Sequence, residues 1–393
     1  MAWMRNAGMV CVASFEIFAV DLPFRRVVTH SAASRSTSDS VFLRCTTDTG
    51  VVGFGECLPR AYVTGESRDG AYALLRDRVL PKLIGMGFES YSDVKAFLAD
   101  CDGKAPSGYV HPEVPQTAAW CAVDLALLDT FGRAFGQPVC RWATVSTGNV
   151  RYSGVLAATN PRALTRSSVL FRLYGLRQVK MKVGWKGDWT AARRVRQVLG
   201  AGTDLRVDAN MAWGVEQAAR AMSEMAPFGI RCFEQPVKAE ALDDMAWLVR
   251  ETGLTVMADE SFCDHRSLER LIERNACTAV NVRISKCGGL MGALRRCREA
   301  RQAGLLVQAG CQVGESSLLS AAQLALLAQG PDVAHVEGSF GRRLLREDVA
   351  EPVLQFGYGG RPPRPPMGPG LGVRVDEKRL RRWAIRHDRI GER

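Results

Sequence analysis

The chain has 393 residues, 47% of them hydrophobic and 24% charged. That composition excludes disordered and fibrous classes and leaves room for two or three domains, or one large barrel with an attachment. The net charge of +11 arises from 52 basic and 41 acidic residues spread along the chain, which argues against a nucleic-acid reading head. No run of about 18 uninterrupted apolar residues occurs, so no membrane partner is expected. The twelve cysteines include no CxxC pair. They read as reduced core thiols of a cytoplasmic protein, not as disulfides or a zinc site.

At the N-terminus, Arg5 precedes an apolar patch in the manner of an export signal. Glu16 interrupts that patch, however, and Phe15, Ile17 and Ala19 alternate as a strand does. Phe15–Val20, Ser40–Thr46 and Gly50–Glu56 predict an antiparallel meander, with Asp48-Thr-Gly50 as a turn. Helices are predicted over Ala71–Leu83, Ser92–Leu98 and Gln116–Phe135. Together these make an α+β module over residues 1–145.

Residues 146–360 carry the strongest regularity. Short apolar runs centre near Val155, Met181, Val207, Phe233, Met257, Ile284, Gln308 and Val336. Amphipathic stretches lie between them: Trp189–Leu199, Gln217–Ala226, Leu242–Arg250, Ser267–Arg274, Ala293–Ala303 and Ser317–Ala328. Lys182, Asp208, Glu234, Asp259, Lys286, Cys311 and Glu337 follow one another at intervals of 26, 26, 25, 27, 25 and 26 residues. One strand, one helix and two loops need about that length, and eight such units close into a (β/α)8-type barrel. Each of these residues is read as ending its strand, where barrel active sites are built. Residues 361–393 begin with a Pro/Gly-rich linker and are expected to return to the N-terminal module. Their Arg379, Arg381, Arg382, Arg386 and Arg389 read as a solvated helix face.

Asp208, Glu234 and Asp259 supply three hard oxygen ligands on consecutive strands, which suits Mg²⁺ and disfavours zinc. Lys180 and Lys182 are two apart and share a strand face; a neighbouring ammonium and a nearby cation would depress a lysine pKa toward that of a base. Lys286 approaches from the other side. A metal with lysines on two sides suits removal of the α-proton of a carboxylate and stabilisation of the enediolate.

The motifs Val179-Lys-Met-Lys182, Asp208-Ala-Asn210, Phe233-Glu-Gln-Pro236, Ala258-Asp-Glu-Ser261 and Ser285-Lys-Cys-Gly-Gly289 resemble those of the enolase superfamily, in its muconate-lactonizing subgroup. Gly53-Phe-Gly-Glu-Cys57 and Val123-Asp-Leu-Ala-Leu-Leu-Asp129 resemble the motifs of its capping domain. The resemblance runs from about residue 14 to 376. A Lys base paired with Mg²⁺ is a known pattern of that superfamily.

The resemblance implies an α/β fold, a modified (β/α)7β TIM-like barrel with an α+β capping domain. It implies Asp208, Glu234 and Asp259 as ligands of Mg²⁺ or Mn²⁺, and Lys182 and Lys286 as an opposed acid/base pair. Lys180 would tune Lys182 and contact the substrate carboxylate, with Asn210 and Glu260 behind them. Loops near Thr29–Ser34 and Arg60–Gly65 would close over the substrate, which puts Thr29 and Arg60 among the candidate substrate residues. The partner expected is a small carboxylate, and by resemblance a dimer or octamer of the chain.

The eighth-strand segment Val336-Glu-Gly-Ser339 lacks the Asp-x-Asp pair by which dipeptide epimerases grip an ammonium, and Glu337 with Phe340-Gly341 is more like a cycloisomerase. The leading expectation is therefore cycloisomerisation. The alternatives are racemisation of an N-acyl amino acid, dipeptide epimerisation or o-succinylbenzoate synthesis, and, outside catalysis, an anion-binding barrel. An ion pair of Glu337 with Arg342 or Arg343 is an equal reading of that residue. His30 and His335 read as structural or lid-polar residues, not as bases.

Overall fold

The computed structural model describes residues 8–30, 33–140, 150–158, 160–329 and 332–391. The N-terminal region is built on an antiparallel sheet of β1 (Val10–Val20), β4 (Ser40–Thr47) and β5 (Val52–Cys57), with the hairpin β2 (Pro23–His30) and β3 (Ala33–Thr37) standing apart and the short β6 (Gly87–Phe88) beside β1. The helix Thr117–Ala134 lies across this sheet with nearly every residue buried. Glycine is required at 55, because a Cβ there would sit 1.9 Å from the Ala122 carbonyl oxygen. The expected boundary near residue 145 lies outside the described residues.

Eight parallel strands follow: β7 (Gly154–Leu156), β8 (Gln178–Lys182), β9 (Asp204–Asp208), β10 (Cys232–Glu234), β11 (Thr255–Ala258), β12 (Ala279–Arg283), β13 (Leu306–Gly310) and β14 (His335–Val336). They pair in chain order, and a parallel bridge between Tyr152 and Val336 closes the ring. Helices Pro161–Leu173, Asp188–Leu199, Val215–Met225, Leu242–Thr252, His265–Glu273, Leu290–Gln302 and Ser317–Ala328 follow the first seven strands in turn. After β14 comes only a short 3₁₀ turn, Gly341–Arg343, which makes the barrel (β/α)7β.

Two expectations are corrected here. The sixth run, centred by sequence on Ile284, is a strand that ends at Arg283, so Lys286 stands in the turn beyond it. Apolar Ile284 continues the hydrophobic run past the last ladder hydrogen bond and so shifted the reading. The arginine-rich tail is not one helix face. A helix spans Glu377–Trp383, and Arg386 and Arg389 lie on β17 (Ala384–Ile390), which pairs antiparallel with β1 beyond the small ladder β15 (Ala350–Glu351) and β16 (Arg374–Val375). Arginine on an edge strand keeps that edge solvated while its backbone joins the sheet.

Three buried acids hold the N-terminal region in place, two to the barrel and one to the C-terminal segment. Asp124 accepts from Leu290 N–H at 2.7 Å, at the start of a barrel helix, and burial pushes its carboxyl up to about 8. Asp129 accepts from Phe54 N–H and Leu371 N–H at 2.9 and 2.8 Å. Glu56 accepts from Ser316 N–H at 3.1 Å and from the Ser316 hydroxyl. The capping-domain motifs noted in the sequence thus fix how that domain sits over the mouth of the barrel.

Candidate active site

Strand register decides which side chains converge. Lys182 pairs with Asp208, and Asp208 with Glu234, so these three stand in one row at the ends of β8, β9 and β10. Glu234 pairs with Met257, and two residues on, past the end of β11, comes Asp259 on the same side. The same alternation turns Lys180, Arg206, Asn281, Arg283, Gln308 and Glu337 inward. One layer below, Cys232, Met257 and Ala279 form a small apolar cluster of their own, a dry floor under the polar layer.

Every oxygen of the three carboxylates has a donor. Asp208 Oδ1 accepts from Asn210 N–H at 3.0 Å, and Oδ2 lies 2.7 Å from Lys182 Nζ and 3.1 Å from Lys180 Nζ. Glu234 Oε1 accepts from Asn281 at 2.8 Å, and Oε2 from Lys180 at 3.1 Å and Gln308 at 3.3 Å. Asp259 Oδ1 lies 2.8 Å from Lys286 Nζ, and Oδ2 is bound by Arg283. Among the described residues no three acids, cysteines or histidines converge as a formed metal cluster; each carboxylate is engaged by a basic side chain instead.

The donor set nevertheless suits a hard divalent cation: three fully buried carboxylates from neighbouring strand ends. Burial, and after it the charge of Asp208, pushes the Glu234 carboxyl up, a repulsion that a divalent cation relieves. Burial opposes ionisation of Asp208 too, but Lys182 and Lys180 outweigh it and hold that carboxyl well below the usual range.

Lys180 departs from expectation. Burial disfavours its charge, yet Glu234, Glu337 and Asp208 surround Nζ and hold the ammonium well above its usual range. Its contact with Glu337, at 2.7 Å, is the shortest of its three ion pairs. Glu337 in turn binds Arg206, and neither Arg342 nor Arg343 is its partner. Asn210, in the left-handed conformation that asparagine tolerates, accepts from Lys182 Nζ at 2.6 Å and donates to Glu260 at 3.1 Å. Burial, then Asp259 and Asp208, push Glu260 up to about 8. Lys286 Nζ also sits 5.0 Å over the Phe262 ring.

Of the two expected substrate residues, Arg60 is held by backbone groups and Thr29 stands in the hairpin expected to cover the substrate. Arg60 is buried, 1% exposed, and its guanidinium donates to the carbonyls of Pro59, Ser38 and Val313. It ties the base of the β2–β3 hairpin to the loop after β13, so its charge is spent on backbone and not on a ligand. Thr29 has its backbone in that hairpin, opposite Ser34, and its side chain is outside the described residues, as is that of His30. His335 is buried with Nε2 2.8 Å from Asp204 Oδ2, a structural contact as expected.

Arg283 and Arg206 were missed. The signal was present: in Asn281-Val-Arg-Ile the polar residues recur with period two in an apolar strand, as they do in Arg206-Val-Asp208.

Residues 165–379 match the enolase C-terminal domain-like family, and residues 13–142 the mandelate racemase/muconate lactonizing enzyme N-terminal domain. The chain belongs to the enolase superfamily. It is 27% identical over 391 residues to the N-succinyl-L-Arg/Lys racemase of Bacillus cereus, covering 96% of this chain and 99% of that one. The crystal structure of that racemase superposes with a TM-score of 0.85 at 26% identity, over 97% of this chain and 100% of the other. The L-Ala-D/L-Glu epimerase of Clostridium acetobutylicum is 29% identical over 78% of this chain and 84% of its own length. The chloromuconate cycloisomerase of Cupriavidus pinatubonensis is 27% identical over 93% and 96%. This superfamily member is an enzyme, and its relatives favour racemases and epimerases over the cycloisomerase that the sequence put first. In the eighth-strand segment a single Glu, bound to Arg206 and Lys180, serves the barrel's own charge balance.

Proposed function

We propose that this enzyme racemises or epimerises the α-carbon of an N-acylated amino acid. The observation that carries this reading is the placement of Lys182 and Lys286. Lys182 ends the second barrel strand and Lys286 follows the sixth, so they face each other across an eight-stranded ring. A planar enediolate held between them is open to one lysine on each face.

Asp208, Glu234 and Asp259 would hold Mg²⁺ or Mn²⁺, which when bound stabilises the negative charge that develops on the substrate carboxylate. Lys182, as the neutral amine, takes the α-proton from one face, and the Lys286 ammonium delivers a proton to the other; the roles reverse for the opposite enantiomer. One C–H bond breaks and one forms, with no net redox change. Asn210 fixes Lys182 through its 2.6 Å contact, and Glu260 fixes Asn210. An acylated nitrogen is favoured over a free ammonium, because Glu337 is already neutralised by Arg206 and Lys180 and the next position but one is Ser339. The similarity to the Bacillus cereus N-succinyl-L-Arg/Lys racemase supports the same class. The twelve cysteines, all present as free thiols, support a reducing, cytoplasmic setting.

The test is α-proton exchange in D₂O with Mg²⁺, using N-succinyl and other N-acyl amino acids, dipeptides and muconates. Exchange with inversion of an N-acyl amino acid is expected, and Lys182→Ala and Lys286→Ala should each lower it by about 10²- to 10⁴-fold. Lactonisation of muconates with no exchange in any N-acyl amino acid would remove this reading and restore the cycloisomerase.

A further inference from the structure

The geometry points to Arg283 as an internal counter-ion that stands in for the divalent cation and holds down the affinity of the site for it. The inference rests on the reading of Asp208, Glu234 and Asp259 as cation ligands. Arg283 ends β12 with its side chain inside the barrel, 9% exposed. One terminal nitrogen, Nη2, binds Asp259 Oδ2 and lies 3.7 Å from Glu234 Oε1. It therefore spans two of the three ligand carboxylates, on the oxygens that the acid/base lysines leave to other donors. The other terminal nitrogen donates to Gln312 Oε1 at 2.8 Å, and Nε has no partner among the described residues.

Lys180 also bridges two ligand carboxylates, but the two basic residues differ in what remains to them. If Asp208 and Glu234 turn to a cation, Lys180 keeps Glu337, its shortest contact. If Asp259 and Glu234 turn to a cation, Arg283 keeps no ion pair among the described residues, only its hydrogen bond to the neutral amide of Gln312 and the more distant charge of Glu260. Cation binding therefore opposes Arg283 twice: it takes away both carboxylates and sets a like charge beside a guanidinium that stays charged at any working pH. The same pairing offsets part of the repulsion among the three buried carboxylates when no cation is bound. Arginine suits this task because one end of its planar fork serves the two carboxylates while the other holds the Gln312 amide.

The experiment measures Mn²⁺ affinity of the wild type and Arg283→Met by electron paramagnetic resonance, and Mg²⁺-dependent thermal shift for both. For Arg283→Met we expect a lower metal-free Tm, a larger Mg²⁺-induced rise and Mn²⁺ affinity at least tenfold tighter. A residue that merely supported the structure would, on removal, weaken cation binding. Arg283→Lys keeps the charge and loses the fork; it should fall between the two, and it carries the test if the Met variant does not fold. Affinity equal to or weaker than wild type in the folded variants overturns this proposal alone. No Mn²⁺ binding and no Mg²⁺ shift in any of the proteins removes the cation reading, and this proposal with it.

Discussion

Arg206→Met isolates one buried pair whose consequences can be worked through. Arg206 is fully buried, its Nη2 on Glu337 and its Nη1 3.1 Å from the Ser153 hydroxyl. Methionine fills most of the volume without the charge. Removing one partner of a buried pair costs about 3–5 kcal/mol when the other is left alone. Glu337 keeps Lys180 at 2.7 Å, so the lower end, about 3 kcal/mol, is expected. An unfolding entropy of about 2.1 cal/mol/K per residue over the 393 residues makes this a fall in Tm of about 4 °C if the chain unfolds as one unit. Burial opposes the charge on Glu337, but Lys180 and Arg206 override it and hold the carboxyl below its ordinary value of 4.5. A depressed folded-state pKa contributes stability that is present above the unfolded value and is lost as the pH falls through the folded one. The gap between variant and wild type should therefore be full at neutral pH and narrow below about pH 4.5. Arg206→Met combined with Glu337→Gln should recover part of the loss, because no buried carboxylate then remains underpaired. Calorimetry across pH reads all three. A variant within about 1 °C of wild type at pH 7 would refute the reasoning.

Three further outcomes follow from the same contacts. Asp124→Asn keeps an acceptor for Leu290 N–H but cannot ionise. The Asp124 carboxyl is raised from 3.8 to about 8 in the folded chain, so wild-type stability falls as the pH rises through that window, and the variant's Tm relative to wild type should climb between about pH 5 and pH 8; parallel Tm curves would contradict this. Gly55→Ala places a Cβ 1.9 Å from the Ala122 carbonyl oxygen, an overpacking that should cost about 1–3 kcal/mol or more, read by chemical denaturation. Arg60→Ala frees three buried carbonyls and loosens the hairpin base, so KM should rise more than kcat falls, and an unchanged KM would separate Arg60 from the lid.

The sequence alone determined the barrel, because seven strand–helix units of nearly constant length and an eighth strand leave few other closed arrangements. It also put the three carboxylates and Lys182 at the mouth: a charged residue at the end of an apolar strand has few other stable places. It could not determine partners. Whether Glu337 meets Arg343 or Arg206 depends on which residues of strands five apart in the chain order face one axis, and only closure between Tyr152 and Val336 brings β9 and β14 into one interior. Arg60 looked like a substrate grip because an arginine near a lid has charge to offer. Tertiary structure buries it under three carbonyls, where its donors are already used. The direction of the Lys180 shift was likewise out of reach: a second lysine two residues away is visible in sequence, whereas three carboxylates from three other strands are not. Residue type and spacing are local properties; charge balance in a low-dielectric interior is set by every strand that contributes to it.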